Sequence, residues 1–207
     1  MFDQVQECSF ESGAKVFYAF ESLPFDFDHD LLSELSDFNL AGPLRESLPE
    51  TSQYYSEFLL SRFLLLRLLK NFKSKNVGGV SFSLSHTSGA ALVAGAATLS
   101  FEGASLAAGI GADVEALTRK ISDPVYKRIC NGAFDSQVAP LVLWSLKEAA
   151  YKAHPNNENL LLSDFVVVEN PGALHFKLMC SKSSYNFEAV LIERMSYQLA
   201  FARLLKD

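Results

Sequence analysis

Cysteine, tryptophan and positive charge are all scarce in this 207-residue chain, which has three cysteines, one tryptophan and a formal net charge of −6. Cys8, Cys130 and Cys180 are scattered, form no Cys-x-x-Cys pair and are odd in number, so a disulfide framework or a thiolate zinc site is not expected. Buried reduced thiols and a cytosolic location are the expectation. No long basic run is present and the isoelectric point is near 5.3, which argues against a general nucleic-acid binder. The most apolar window, Phe58 to Leu69, is shorter than the roughly 20 residues a spanning helix needs and contains Arg62 and Arg67, so no membrane anchor is expected. The segment MFDQVQECSF has two acids and no basic stretch, unlike a signal peptide.

What is present is apolar bulk and alternating pattern. Hydrophobic side chains make up 49% of the chain, enough to bury a core as one domain or two closely packed halves. Lys15 to Phe20 reads as a strand, and Phe27 to Phe38 as containing a short helix, before Gly42-Pro43 breaks the chain. A long helix capped at Thr51 or Ser52 runs from Tyr54 to about Phe72, apolar around most of its circumference and therefore central. Three strands follow, Val80–Leu84, Ala90–Thr98 and Leu106–Val114, with a turn at Phe101-Glu102-Gly103. Pro124 to Cys130 reads as a short helix and Ser136 to Ala153 as a longer one stopped by His154-Pro155. Asp164–Glu169, Leu174–Cys180, Tyr185–Glu193 and Tyr197–Leu204 read as closing antiparallel strands. Periodicity alone supports an α+β fold.

Three short segments carry the chemistry. In Trp144-Ser145-Leu146-Lys147-Glu148-Ala149-Ala150-Tyr151-Lys152, helical spacing sets Glu148 and Lys152 one turn apart on one face. Gly109-Ile110-Gly111-Ala112-Asp113-Val114-Glu115 ends on two carboxylates at i and i+2, which point to the same side of a strand. Ser81-Phe82-Ser83-Leu84-Ser85-His86-Thr87-Ser88-Gly89 is an alternating strand running into a Ser-His turn. Each piece has an ordinary structural alternative: a solvated helix ion pair, strand-end acids, a satisfied strand-end histidine. Together they place three acids and a lysine where one divalent cation and one phosphate could meet.

The ordered trio SxSH, GADVE and WSLKEAAYK resembles the 4′-phosphopantetheinyl transferases of the surfactin-synthetase and enterobactin type, over Ser81 to about Pro155 and more loosely beyond. The resemblance implies a pseudo-dimer of two similar α+β halves, here 1–103 and 104–207, each with a long helix on an antiparallel sheet. It implies transfer of the phosphopantetheine arm of coenzyme A to a serine of an apo acyl or peptidyl carrier protein, with release of 3′,5′-ADP. Asp113, Glu115 and Glu148 would hold Mg2+, an oxygen-seeking cation suited to carboxylates and phosphate. Glu148, Lys152 and Asp113 would be the catalytic set, and Ser85, His86, Arg62 and Lys152 would contact coenzyme A, Lys152 at the pyrophosphate and Arg62 at the 3′-phosphate. A cytoplasmic monomer acting without nucleic acid or membrane is expected, in fatty-acid, polyketide or nonribosomal-peptide biosynthesis.

Trp144 reads as core packing that orients Glu148, and Lys147 as either a phosphate contact or a salt bridge. Two departures stand out. The Gly-Lys-Pro segment common before the Ser-His strand is absent, with Lys73-Ser74-Lys75 the nearest basic stretch. A further glutamate common between Glu115 and Trp144 has only Asp123 and Asp135 as counterparts, so the general base stays open among a hydroxide on the metal, neutral Lys152 and Glu115. The rival readings are a coenzyme A- or carrier-binding protein without activity, and a metal-dependent phosphodiester hydrolase.

Overall fold

A computed structural model describes residues 5–23, 53–74, 79–98 and 109–205. The fold is α+β, with two antiparallel sheets, each flanked by a helix. The first has the strand order β1-β2-β4-β3, from β1 (Gln6–Ser9), β2 (Lys15–Ser22), β3 (Gly79–Thr87) and β4 (Ala90–Thr98). The second has the order β5-β9-β8-β7-β6, from β5 (Ile110–Ala116), β6 (Phe165–Gly172), β7 (His175–Cys180), β8 (Asn186–Arg194) and β9 (Tyr197–Leu205).

Helix α1 (Gln53–Ser74) covers the first sheet. Its apolar side chains Leu60, Phe63, Leu64, Leu68 and Phe72 bury against Ala19, Ala91 and Val93. The opposite face of β4, with Ala90, Leu92 and Ala94, packs with Tyr18 and Phe20 onto Ile110, Ala112, Val114, Leu199 and Phe201 of the second sheet. Alternation along β4 thus serves two cores, which explains why Ala90 to Ala96 is apolar without a break. Helix α3 (Pro140–Ala153) closes the far side, setting Leu143, Leu146, Ala149, Ala150 and Ala153 on Phe165, Leu178, Phe187 and Ala200. A short helix α2 (Asp123–Ile129) with proline in its first turn precedes it. Among the described residues, no helix is long and apolar enough to cross a membrane.

The contact between β5 and α3 positions everything that follows. A Cβ on Gly111 would fall 1.8 Å from the carbonyl oxygen of Ala149 and 2.6 Å from the amide nitrogen of Ala153, and one on Gly109 would fall 2.1 Å from the Ala153 oxygen. The Gly-x-Gly run therefore lets the helix backbone lie directly on the strand, with Gly111, Asp113 and Glu115 on that face.

Several expectations differ in detail. The helix expected from Ser136 begins at Pro140, because Asp135–Gln137 forms a separate 3-10 turn, Val138 is extended and proline opens the helix at N1. β1 is an additional strand. β6 continues through Asn170-Pro171-Gly172 with register shifts against β7, as expected of proline on an edge strand. The expected helix in 27–38, the caps at Thr51 and Ser52, the Phe101–Gly103 turn and the 103/104 division lie outside the described residues.

Candidate functional site

The two sheets meet edge to edge at β3 and β5, and serine hydroxyls make the joint. Ala112 N–H donates to Ser83 Oγ at 2.9 Å and Val114 N–H donates to Ser85 Oγ at 3.3 Å. Period-two geometry turns Ser83, Ser85 and Thr87 toward β5, whereas Phe82, Leu84 and His86 face α1.

Ser85 is the hub. Its hydroxyl donates to Asp113 Oδ1 at 3.0 Å and accepts from Lys152 Nζ at 3.1 Å. Lys152 uses its two other N–H groups on Asp113 Oδ1 at 3.0 Å and the Ala112 carbonyl at 3.1 Å. Lysine, serine and aspartate, drawn from α3, β3 and β5, thus form one closed network. The other oxygen, Asp113 Oδ2, is buried and has no hydrogen-bond partner. A buried carboxylate oxygen left in this way costs free energy and invites a cation or a donor.

Glu115 lies two residues on. Thr87 Oγ1 donates to its Oε2 at 3.4 Å, Trp144 Nε1 donates to its Oε1 at 3.1 Å, and the Arg119 guanidinium pairs with the same Oε1. Arg119 also lies over the Trp144 ring, its Cζ 4.8 Å from the centroid. Trp144 therefore orients Glu115, not Glu148 as its helix position suggested. Burial pushes the Glu115 carboxyl above its ordinary range and the Asp113 charge adds to this, against Arg119 and Trp144. Glu148, one turn before Lys152, is likewise pushed up by burial and by the charges of Asp113 and Glu115, with Lys152 and Arg119 opposing. It makes no ion pair among the described residues.

Ser85, Asp113 and Lys152 are thus joined by hydrogen bonds, and Glu115 and Glu148 lie near enough to Asp113 to feel its charge. His86 does not join them. Adjacent to Ser85 on a strand, it points to the opposite face, where its exposed ring has Nδ1 3.7 Å from Glu57 Oε2. Glu57, buried on α1, also accepts the Gly89 N–H at 2.9 Å and so ties the β3–β4 turn to the helix. Arg62 stands on α1 with Cζ 4.9 Å from the Phe58 ring centroid and a buried Nε without a hydrogen-bond partner.

Lys147 resolves as a salt bridge. Fully buried, it donates to Asp135 Oδ2 at 2.5 Å and to the Ile129 carbonyl. Asp135 also accepts N–H groups of Asn131, Gly132 and Val167 at 3.0, 3.0 and 2.9 Å. Its acceptor capacity is spent on structure, which removes it as a base.

No protein-family model matches this chain, and no curated protein matches it.

Whether the residues suit a divalent cation can be judged from the donors. Three carboxylates, one of them with a buried oxygen lacking a hydrogen-bond partner, offer the oxygen donors that a hard divalent cation prefers. As it stands, no three His, Cys, Asp or Glu side chains among the described residues group closely enough to hold a metal. Two of the acids are taken by cations of the chain, Asp113 by Lys152 and Glu115 by Arg119.

Proposed function

We propose that this protein is a Mg2+-dependent 4′-phosphopantetheinyl transferase, a compact pseudo-dimeric monomer that converts an apo acyl or peptidyl carrier protein to its holo form. The observation that carries the reading is the Lys152–Asp113–Ser85 network beside Glu115 and Glu148. It joins the SxSH, GADVE and WSLKEAAYK segments in one place, Ser85 and Lys152 being 67 residues apart in the chain.

In this reading Asp113, Glu115 and Glu148 hold the cation, which when bound neutralises phosphate charge and polarises the phosphoryl oxygens. The chain's own groups do the rest. Lys152 sets its ammonium at the pyrophosphate, exchanging one of its present acceptors for a phosphate oxygen, and offsets the charge that grows on the departing 3′,5′-ADP. Ser85 holds Lys152 and Asp113 in register at the reacting group. The carrier serine oxygen forms its bond to the β-phosphorus as the bond from that phosphorus to the oxygen of 3′,5′-ADP breaks, and the serine proton passes to the Glu115 carboxylate. His86 on the α1-facing side of β3 and Arg62 on α1 suit the nucleotide end of coenzyme A, away from the reacting phosphate.

One observation favours a second reading, a coenzyme A- or carrier-binding protein without activity: no three metal-ligating side chains are assembled among the described residues. Intact-mass analysis separates the two. Incubated with coenzyme A and Mg2+, a panel of apo carrier proteins of different classes should include one that gains a single phosphopantetheine, and omission of Mg2+ should abolish the gain. Binding of coenzyme A with no carrier modified would leave the second reading.

A further inference from the structure

Within the carboxylate cluster the two chain cations are held very differently. Lys152 is tethered by three hydrogen bonds and is largely buried, with 28% of its side chain exposed. Arg119 is 40% exposed, stands on the turn after β5 and is moored there by its own N–H on the Ala116 carbonyl. Its partner is the reverse: the Glu115 side chain is 4% exposed and wedged between Thr87 and Trp144. The carboxylate is fixed and the guanidinium can leave into water at little cost in packing.

Two further features point the same way. Glu115 is buried on the same strand face as Asp113, and Arg119 is the chain cation that pairs with it. Arg119 also has a second resting place, the face of the Trp144 indole, which retains it by cation–π attraction when Glu115 is taken.

We propose that Arg119 is a displaceable counter-ion. It neutralises and positions Glu115 in the cation-free protein and gives up the carboxylate when a divalent cation enters the Asp113–Glu115–Glu148 cluster. This rests on the reading of those acids as cation ligands. It means that cation binding works against an ion pair that the protein supplies itself. Arg119 is accordingly a positioning residue.

The test uses the full chain and Mg2+ alone, followed by calorimetry and by the emission of Trp144, the sole tryptophan. Arg119→Gln should bind Mg2+ about fivefold more tightly than wild type, the gain from removing one partly exposed competing ion pair. Lys120→Gln removes the same charge one position along, where no contact with Glu115 exists, and should change affinity by less than about twofold because a solvated charge is screened. Arg119→Lys, which keeps the charge but loses the planar fork and the stacking, should fall between them. Wild-type emission should shift on Mg2+ addition as Arg119 leaves Glu115, and the shift should be smaller in Arg119→Gln. Equal tightening in Arg119→Gln and Lys120→Gln, or weaker binding in Arg119→Gln, overturns the counter-ion role while leaving the transferase reading intact. Absence of Mg2+ binding in every variant overturns the counter-ion role together with the cation site. Failure of the transferase reading alone has a different signature, Mg2+ affinities as expected with no carrier protein modified.

Discussion

Lys152 spends all three of its N–H donors inside the protein, so its removal is felt in stability as well as in chemistry. In Lys152→Met, Asp113 keeps only the Ser85 hydroxyl on its Oδ1, with its Oδ2 still unpartnered. Loss of a fully buried partner costs about 3–5 kcal/mol, and the partial exposure of Lys152 brings the expectation to about 1–3 kcal/mol in urea unfolding. Transfer to a carrier protein should fall by at least about 100-fold, a loss appropriate to removing a cation from a developing phosphate charge. Glu148→Gln should act in the opposite sense on stability. It relieves crowding among three acids, so in Mg2+-free buffer at pH 7 the variant should be more stable by about 0.5–2 kcal/mol, the familiar trade between function and stability. A lower melting temperature for Glu148→Gln would contradict the repulsion inferred for this cluster. Single residues were legible to unequal degrees. The shared faces of Asp113 with Glu115 and of Glu148 with Lys152 follow from strand and helix periods, whereas Ser85 was implied by the resemblance, which paired it with the His86 that the period-two rule sets on the opposite face. Thr87 and Arg119 were not legible, because each reaches Glu115 through the meeting of two sheet edges or across a turn, neither of which has a sequence period.

At the scale of elements, the approach of α3 to β5 is the critical packing. Gly111→Ala puts a methyl group against backbone atoms that cannot rotate away, so helix and strand must separate. The expected cost is about 1–3 kcal/mol or more by urea unfolding, with loss of activity beyond the loss of folded protein, since Glu148 and Lys152 move with the helix. Wild-type stability in Gly111→Ala would mean that the helix does not lie on the strand as described. The 3-10 turn Leu162–Asp164 before β6 supplies a pH signature outside the site. Burial alone would raise the Asp164 carboxyl, but the Leu161 N–H at 2.8 Å and the Lys182 ammonium at 2.9 Å outweigh it and hold it below its ordinary value of 3.8. A carboxyl depressed by folding contributes stability above its unfolded value and loses it as pH falls through the folded one. Asp164→Asn should therefore melt below wild type at pH 7, and the gap should close as pH falls from about 4. A gap independent of pH would assign the effect to the hydrogen bond and not to the charge. Most elements were readable from alternation and breakers. β1 was not, because Gln6-Glu7-Cys8-Ser9 is a short polar edge strand with little apolar signal, and α3 starts later than its pattern suggests because Asp135 is diverted to Lys147.

For the whole molecule, the decisive feature is a core shared by both sheets. Ile110, Ala112, Val114, Val190, Leu199 and Phe201 bury against Tyr18, Phe20, Ala90 and Leu92. Burial of each large apolar side chain contributes about 1.5–3 kcal/mol, so residues 104–207 alone would expose more apolar surface than a domain of that size tolerates. Expressed separately, that half should lack a cooperative thermal transition, and a cooperative one would mean that the two halves are independent domains. The bond from Ser12 Oγ to Glu188 Oε1 at 2.6 Å ties the sheets at a second point, far in sequence and invisible to any local pattern. An α+β architecture was legible from the order of strands and helices; that the site forms on the seam between sheets was not, since only the path of β3 beside β5 creates it.

The measurement that bears most directly on the whole account is the ratio of 3′,5′-ADP released to carrier protein modified, in one reaction containing the protein, coenzyme A, Mg2+ and an apo carrier. The account predicts one 3′,5′-ADP for each phosphopantetheine gained by the carrier, and neither product with Glu148→Gln. Release of 3′,5′-ADP with no carrier modified would mean hydrolysis of coenzyme A, and no release with any carrier class would contradict the transferase altogether.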